Sequence, residues 1–326
     1  MVVGLLLLGG TVYVFLTNFN LQCPFGVTAG GDSQSQPVDI YCGYYRPPVP
    51  TGISDYGVIN SSGTWSAYRV DATQIVGEAW IYSIGVNDPS LSQMRNVAGL
   101  QLNVVLKVST THGDQSYWVQ NIAFFDTTED YVNFANQIWN FSGPEAWMHS
   151  ADVSGNGDVS GNPPEAAYSM DRNLPGAHYA LPMHFEIITN VLRDANGVVI
   201  GFAYNGFLNS FPILGTTWDE VHIAATGVLG AAFEVNGFQT TGRAYYNAEF
   251  VFTGPPGSSA IAYRTLNATI GLRYVLTNGT VTSPRSVFEF GTTGESVTNL
   301  QTKLVNGSFE VSVGQVDMNR DYLTGS

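Results

Sequence analysis

One acidic residue, Glu249, lies in a strand-like segment where a carboxyl group could do proton-transfer chemistry. Side chains alternate along a strand, so Glu249 shares a face with Tyr245 and Val251. A carboxyl group in such surroundings can have a raised pKa and act as a general acid or base in acidic solution. The structural alternative is an ion pair with Arg243 or Arg264.

A glutamine, Gln120, stands in a similar position on another apolar segment. It shares a strand face with Trp118, Ile122 and Phe124, so its amide needs a hydrogen-bond partner. Such an amide could hold a water molecule or stabilise an oxyanion, or it could simply cross-link strands. Asp55 is a second acid candidate, and its structural alternative is the capping of a turn.

Other catalytic chemistries lack the residues they need. The sequence contains no Ser–His–Asp, Cys–His or His-Glu-x-x-His arrangement. The five histidines are scattered without the spacing of metal ligands and are interpreted as structural. They are His112, His149, His178, His184 and His222.

The candidate residues fall in segments that predict β-strands. Apolar and polar side chains alternate over residues 100–108, the period-2 pattern of a half-buried strand. Asn-Gly pairs at 196–197 and 278–279 predict tight hairpins, and no interior segment sustains a helical period. Similar strand patterns occupy Tyr117–Phe125, Tyr131–Phe141, Met183–Leu192, Gly197–Phe207, Tyr245–Phe252, Ala260–Leu276 and Phe309–Val313.

These patterns predict an all-β fold, an antiparallel β-sandwich over residues 51–315. It forms either one large domain or two β units divided near residues 142–175, a polar stretch rich in Pro and Gly. Residues 316–326 follow it as a C-terminal tail.

The dividing stretch contains a weak calcium-loop pattern. Oxygen-bearing side chains alternate around a glycine in the sequence DVSGNGD at 152–158, as in half of a calcium loop. The bidentate glutamate expected late in such a loop is absent, because Pro163 occupies its place. Calcium is therefore the one cofactor that the sequence suggests, with a solvated loop as the alternative. Its ligands would be Asp152, Ser154, Asn156 and Asp158.

Three segments, in order along the chain, resemble the thermopsin family of archaeal acid endopeptidases. The first, PTGISDYG at 50–57, is similar to the family's P-x-G-x-x-D-Y-G signature. The second, QLNVVL at 101–106 followed by YWVQN at 117–121, resembles a paired-strand block. The third, YNAEFVFTGPPG at 246–257, resembles an acidic strand leading into a glycine-rich turn. The likeness extends over about residues 47–315.

The resemblance implies an acid endopeptidase that uses Glu249 with Gln120 or Asp55. That pairing of glutamate and glutamine is similar to the glutamic peptidases, which are themselves β-sandwiches. Two departures count against activity. Asn247 stands where thermopsins carry Asp, and the following turn reads Gly-Pro-Pro-Gly-Ser-Ser in place of a glycine run. Prolines stiffen that turn and remove N–H donors, so the departures favour a fold that has lost proteolysis.

Composition bounds the setting in which the protein works. The chain of 326 residues has 26 acidic and 12 basic residues, a formal charge of −14, and only two lysines. A nucleic-acid partner is excluded, since such proteins need clustered basic charge. Because the chain has few basic groups, positive charges on its surface repel one another little in strong acid, where the carboxylates lose their charge.

Two further features place the protein outside the cell or at its surface. Cys23 and Cys42 are predicted to form a disulfide, which persists in oxidising compartments. Asn-x-Ser/Thr sequons predict glycosylation on a surface that is otherwise rich in uncharged polar residues. The sequon asparagines are Asn60, Asn140, Asn267, Asn278 and Asn306.

The N-terminal segment is strongly apolar, and the first charged residue is Asp32. As a helix, residues 1–22 are long enough for a bilayer core, followed by a disulfide-bearing linker over 23–50. A signal peptide or a membrane anchor would normally carry basic flanking charge, which is missing. A processed type IV pilin retains such a segment without its basic leader.

Two functional hypotheses follow. In the first, the chain is a subunit of an extracellular, type IV pilus-like archaeal filament with a surface or adhesion role. Copies would self-associate through residues 1–22, held in the membrane before assembly, and the thermopsin-like β domain would form the outer wall. In the alternative, the chain is a membrane-tethered or secreted acid endopeptidase.

Overall fold

The computed structural model is all β, as the sequence predicts: its described residues form strands and contain no helix. Accordingly, no helix in this part of the chain has the length and apolarity needed to cross a membrane. The predicted helix over 1–22 and the predicted disulfide between Cys23 and Cys42 lie outside the described residues. The structure describes residues 48–62, 64–91, 94–172, 178–208, 211–240, 245–256, 260–315 and 321–323.

The strands are numbered in chain order. They are β1 (Thr51–Asp55), β2 (Val58–Ser61), β3 (Thr64–Ala67), β4 (Arg69–Val86), β5 (Val97–Thr110), β6 (Gly113–Asp126), β7 (Tyr131–Asn140), β8 (Val153–Ser154), β9 (Asp158–Ser160), β10 (Ala167–Arg172), β11 (Met183–Arg193), β12 (Gly197–Leu208), β13 (Phe211–Ala224), β14 (Val228–Thr240), β15 (Tyr245–Tyr246), β16 (Ala248–Thr253), β17 (Ala260–Ile261), β18 (Tyr263–Leu276), β19 (Val281–Thr282), β20 (Ser286–Phe290), β21 (Ser296–Val297), β22 (Leu300–Val305), β23 (Ser308–Val313) and β24 (Asp321–Leu323).

Most of these strands hydrogen-bond into one nearly closed antiparallel sheet. One group centres on β4, which pairs with β11 on one side and β18 on the other. The other group runs from β1 through β16, β5 and β6 to β7. β14 joins the two groups, because one part of it pairs with β5 and another part with β4. The predicted sandwich is therefore correct as an antiparallel all-β fold, but its strands form one continuous sheet.

The main hydrophobic core fills the interior of this sheet. Its residues run from Ile53 to Val311, so chain on both sides of residues 142–175 contributes to one core. Phe250 of β16 and Leu272 of β18 bring the two strand groups together there. Burial of such side chains contributes about 1.5–3 kcal/mol each, which makes this core the principal source of stability.

β5 is buried on both faces, although its sequence predicts a strand with one solvent-exposed face. Leu100 and Leu102 belong to the main core. Gln101 and Asn103, on the opposite face, are only 1% and 0% exposed. The prediction of exposure is wrong because the segment 291–297 lies over this polar face and hydrogen-bonds to it. The fold thus encloses a second interior, which is polar.

Candidate functional site

A row of polar side chains crosses the outer face of the sheet, away from the main core. Ser54 pairs with Glu249, Glu249 with Asn103, Asn103 with Gln120, and Gln120 with Gln137. Directly paired residues in an antiparallel sheet point to the same side, so these five side chains share one face. The sequence places Glu249 and Gln120 more than a hundred residues apart, and strand register brings them together.

The Glu249 carboxyl group is 0% exposed and accepts four hydrogen bonds. Asn247 Nδ2, Thr292 N and Thr292 Oγ1 donate to Oε1 at 2.6, 2.9 and 2.6 Å. Asn103 Nδ2 donates to Oε2 at 3.2 Å. Burial raises the pKa of Glu249, and the donors from Thr292, Asn103 and Asn247 partly oppose that rise.

The ion pair suggested between Glu249 and Arg264 is not observed. Arg264 forms no salt bridge with it, and no other cation among the described residues does. Arg243 lies outside the described residues. Among the described residues, Glu249 is therefore held by neutral donors alone, a setting in which its protonated form is favoured by burial.

Gln120 does cross-link, as the structural alternative suggests, but only through its amide nitrogen. Nε2 donates to Gln101 Oε1 at 3.1 Å and to Thr293 Oγ1 at 3.2 Å. Within the described residues, its Oε1 has no hydrogen-bond partner. Four further buried oxygens of this face share that property: Ser54 Oγ, Asn103 Oδ1, Gln137 Oε1 and Asn247 Oδ1.

A group of unsatisfied oxygens is unusual in a protein interior, where buried polar atoms are normally hydrogen-bonded. Their concentration on one face, around a carboxyl group, gives a surface ready to accept hydrogens from a water molecule or a peptide amide. The arrangement can therefore bind and orient a polar reactant next to Glu249.

The segment 291–297 lies across this face and adds a second carboxyl group, Glu295. Its Oε2 accepts from Thr293 Oγ1 at 2.5 Å and from Gln101 Nε2 at 3.4 Å. Backbone hydrogen bonds fix the segment at both ends, from Gly291 N to Pro50 O at 2.9 Å and from Val297 N to Val49 O at 3.0 Å.

Sequence patterns do not reveal Glu295 or Gln101. Glu295 follows a short Gly/Thr-rich stretch without strand periodicity, and an acid there normally indicates a solvated loop. Gln101 reads as a residue on the exposed side of β5. The only available signal is the buried amide of Gln120, which requires a partner but does not identify it.

Asp55 lies on the other side of the sheet. It pairs with Ala248 of β16 and is one residue away from Ser54, so its side chain points toward the main core. Its Oδ1 accepts from Gly57 N at 2.8 Å, which is the predicted turn cap. The structure therefore brings Glu249 and Gln120 together and separates Asp55 from both.

Two tyrosine hydroxyls complete the environment of Asp55. Tyr68 donates to Oδ1 at 2.5 Å and Tyr274 donates to Oδ2 at 2.7 Å. Burial raises the pKa of Asp55 from 3.8 to about 6, although the hydrogen bonds from Tyr68, Gly57 and Tyr274 oppose the rise. This network ties β1 to β18 and to the residue that precedes β4, from the core side of the sheet.

The raised pKa of Asp55 makes the fold more stable in acid. The folded protein binds a proton here up to about pH 6, whereas the unfolded chain releases it near 3.8. The contribution is complete below about pH 4 and is lost as the pH rises through about 6. It amounts to about 3 kcal/mol for a shift of this size.

We expect Asp55→Asn to remove this pH dependence. Urea unfolding between about pH 3 and about pH 8 measures the free energy of unfolding, and its fall with pH should flatten across the window from about 4 to about 6. Glu220→Gln, an exposed acid, serves as the control. Equal slopes in the wild type and in Asp55→Asn would contradict the assignment.

A three-residue group on the surface has the donor types of a metal site. Single ligand atoms of Glu78, His184 and Glu186 lie within 4.8 Å of one another. His184 Nε2 is 2.6 Å from Glu78 Oε1. Arg273 already forms salt bridges with both glutamates, so the acidic charge is compensated by a guanidinium group. The spacing of the histidines along the sequence does not reveal this group, because the pairing of β4 with β11 brings its three residues together.

The four residues of the predicted calcium loop lie in different local settings. Ser154 lies in β8 and Asp158 in β9, which pair with β13 and β10 respectively. Asn156 Nδ2 donates to Asp219 Oδ1 at 2.7 Å, which anchors the connection between β8 and β9 to β13. Asp152 is exposed. Calcium binding stays a prediction.

Three of the predicted glycosylation sites are exposed: Asn267, Asn278 and Asn306. Asn140 is half-buried at the end of β7, and Asn60 lies in β2. Glycosylation of these residues also stays a prediction.

The sequence model of the thermopsin family matches residues 36–300. The chain belongs to the thermopsin family. Thermopsin from Sulfolobus acidocaldarius is 28% identical over 277 residues, which cover 83% of this chain and 81% of that protein. The matched range contains Asp55, Gln120, Glu249 and Glu295, so the whole polar face lies within the thermopsin homology.

Membership of the thermopsin family overturns the filament hypothesis. The family match and the relative both point to a peptidase, and nothing supports a pilus subunit. The error came from the weight given to residues 1–22, which lie outside both the matched range and the described residues.

The departure at Asn247 also has a different meaning in the structure: its amide donates to Glu249, so it holds the carboxyl group in place.

Proposed function

We propose that the protein is an acid endopeptidase that works outside the cell and hydrolyses peptide bonds at the polar face around Glu249. The observation that supports this most strongly is the environment of Glu249. A fully buried carboxyl group, held by neutral donors, lies in a row of side chains whose oxygens lack partners among the described residues. The thermopsin family indicates the class of reaction, and this face provides a carboxyl group and hydrogen-bond acceptors for it.

Glu249 exchanges protons with the reactants, and Gln120 orients the attacking water. Gln120 Nε2 is fixed by Gln101 and Thr293, so its Oε1 has a defined direction in which to accept a hydrogen from water. Asn103 Oδ1 offers a second acceptor beside Glu249. Positioned acceptors of this kind lower the entropic cost of placing a water against a carbonyl carbon.

Substrate must reach a face that is closed in this structure. Gln120 and Glu249 are 1% and 0% exposed, and Thr292 and Thr293 of segment 291–297 contact them directly. Peptide entry therefore requires this segment to move aside. The exclusion of bulk water after closure strengthens the electrostatic interactions within the site.

The medium in which such an enzyme works is acidic. Burial raises the pKa of Glu249, so the protonated form needed for proton donation persists to a higher pH than for an exposed glutamate. The fold gains stability in acid through Asp55, and its positive charge there comes from only 12 Lys and Arg residues and five histidines.

The test is cleavage of a denatured protein by the full chain from about pH 2 to about pH 7, with product termini mapped by mass spectrometry. We expect internal cleavage with an acidic optimum, and a rate lower by about 10³-fold or more with Glu249→Gln. A correctly folded wild-type chain that cleaves nothing at any of these pH values would refute the proposal.

A further inference from the structure

Asp219 of β13 is a buried carboxyl group that lies outside the polar face. It is 2% exposed, and among the described residues no lysine, arginine or histidine forms a salt bridge with it. A buried carboxylate is normally paired with a cation or a metal ion, because the loss of hydration disfavours an isolated charge. The described part of the chain supplies no such charge to Asp219.

Three neutral groups hold Asp219, and each of them uses it as a hydrogen-bond acceptor. Asn136 Nδ2 and Tyr168 Oη donate to Oδ2 at 2.6 and 3.3 Å. Asn156 Nδ2 donates to Oδ1 at 2.7 Å. An ionised carboxyl group can only accept, so these contacts fit its charged form. The donors come from β7, β10 and the connection between β8 and β9, which therefore meet at this carboxyl group.

Buried amide oxygens accompany the carboxyl group. Asn136 is 0% exposed, and its Oδ1 has no hydrogen-bond partner within the described part of the chain. The same holds for Asn121, which pairs directly with Asn136 and so points to the same side of the sheet. A water molecule could donate to these oxygens, but it would not compensate the charge of Asp219. A cation with oxygen ligands would satisfy both the carboxylate and an amide oxygen.

We propose that this cluster is a calcium site, in which Asp219, Asn136 and Asn156 bind the ion through their side-chain oxygens. A donor set made only of oxygen favours Ca²⁺ over Zn²⁺, which takes nitrogen and sulfur ligands as well. A half-turn of each asparagine amide presents Oδ1 in place of Nδ2. Ligands that bind at about 2.4 Å and at right angles are about 3.4 Å apart, so each amide needs to withdraw from Asp219 by less than about 1 Å.

The connection between β8 and β9 forms the entrance to the site. Asn156 is exposed, whereas Asp219 and Asn136 are buried, so the three ligands lead from the surface inward. Gly155 allows the connection to pack closely here, because a Cβ atom at that position would clash with Tyr168 Oη. The calcium loop predicted from the sequence thus contributes one ligand, Asn156, and strands distant in sequence contribute the others.

A site with a single carboxylate should bind calcium weakly. We expect a Kd of about 10⁻⁴ to 10⁻³ M, the range of low-charge extracellular sites. Because the ion links β13 to β7 and to the connection between β8 and β9, it should bind only the folded chain. At about 10 mM Ca²⁺, the ratio of folded to unfolded protein should therefore rise by about 10- to 100-fold, which urea unfolding measures.

Terbium provides a direct test, because Tb³⁺ occupies calcium sites and luminesces when a nearby aromatic ring passes excitation energy to it. Tyr168 Oη lies 3.3 Å from Asp219 Oδ2, and Trp218 precedes Asp219 in the chain. The full chain is titrated with Tb³⁺ at about pH 6, where exposed carboxyl groups are ionised. We expect a saturable signal on excitation of the aromatic rings, and its displacement by Ca²⁺.

Three variants locate the ion. Asp219→Asn keeps the shape of the side chain and should abolish the saturable signal. Asn156→Ala changes an exposed side chain and should weaken Ca²⁺ binding by about fivefold or more, with the fold intact. Asp152→Asn is the matched control, because it removes an exposed acid of the same loop that has no role in the proposed site. It should retain the wild-type affinity.

The results decide the proposal in either direction. A wild-type chain without a saturable signal that Ca²⁺ displaces would overturn it, as would an unchanged Ca²⁺ affinity in Asp219→Asn or in Asn156→Ala. Loss of binding in Asp152→Asn alone would assign calcium to the loop predicted from the sequence and overturn it too. If Asp219→Asn does not fold, Asn156→Ala decides by itself. None of these measurements depends on proteolysis, so they are independent of the proposed peptidase function.

Discussion

Replacing Glu249 by glutamine should lower kcat/KM toward a peptide substrate by about 10³-fold or more, equivalent to about 4 kcal/mol of transition-state stabilisation. Glutamine has nearly the same size as glutamate but exchanges no proton. The loss therefore reports proton transfer and not a change in shape. If Glu249 only linked strands, the amide would serve equally well and the rate would hardly change.

The fold should tolerate this change. A glutamine oxygen at the position of Oε1 keeps the donors from Asn247 and Thr292. At the position of Oε2, the new amide nitrogen would face Asn103 Nδ2, which is also a donor. The Asn103 amide can rotate to present its oxygen, since Oδ1 has no partner among the described residues, but its Nδ2 then loses the hydrogen bond to Gln101 Oε1. We therefore expect a loss of about 1 kcal/mol of stability in acid, which removal of a buried ionisable group offsets at neutral pH.

Single-turnover kinetics on a fluorogenic peptide, together with urea unfolding of the same preparations, would measure both effects. Glu234→Gln is the matched control, because it also neutralises a buried glutamate, one that lies in an ion-pair cluster with Lys107 and Arg69. Retention of more than about a tenth of the wild-type kcat/KM in Glu249→Gln would exclude it as the catalytic carboxyl group.

Strand patterning predicts much of the fold because alternation is a local property. The segment Tyr131–Phe141 predicts β7, and Met183–Leu192 predicts β11, each within one residue. The hairpin at Asn278-Gly279 is also correct, with Gly279 at φ 83°. β4 shows no clean alternation, because glycines and acids interrupt it, yet it is the central strand of one group.

The site was only partly predictable because its parts meet through long-range register. Glu249 and Gln120 attract attention as polar groups in apolar strands, and both lie on the polar face. Alternation identifies Gln101 as facing away from the core, but it cannot show whether that face is exposed to water or covered by another part of the protein. Glu295 requires knowledge of where segment 291–297 lies, and no local pattern contains that information. Asp55 reads as an acid candidate in sequence and proves to be a turn cap on the opposite face.

The close packing of the main core leads to the second large effect, at Gly77 of β4. A Cβ atom there would lie 2.3 Å from Cδ2 and 2.5 Å from Cε2 of Phe250, whose side chain is fully buried. Contacts this short force the ring or the strand to move, and the surrounding core leaves no room for either. We expect Gly77→Ala to reduce the free energy of unfolding by about 1–3 kcal/mol.

Gly271 supplies the matched control, because its strand pairs directly with that of Gly77. It lies opposite Glu78 on β18, and a Cβ atom there would meet nothing within 4 Å. Gly271→Ala should therefore be neutral or stabilising by up to about 1 kcal/mol, since alanine restricts the unfolded chain. The midpoint of urea unfolding measures both variants. Equal midpoints for the two variants would show that the core rearranges around Phe250 to admit the new methyl group.

A double substitution identifies Phe250 as the cause. Phe250→Leu alone should destabilise, because it removes buried apolar volume from the core. In the double variant, the smaller side chain at position 250 makes room for the new methyl group. The double variant should therefore lose less stability than the sum of the losses in the two single variants. A coupling free energy of about 0.5 kcal/mol or more in this cycle would confirm direct contact, whereas strict additivity would assign the effect of Gly77→Ala to the backbone. Phe250 lies next to Glu249 on β16 and points to the opposite face, so the same substitutions also measure how firmly the core holds the strand that carries the proposed catalytic carboxyl group.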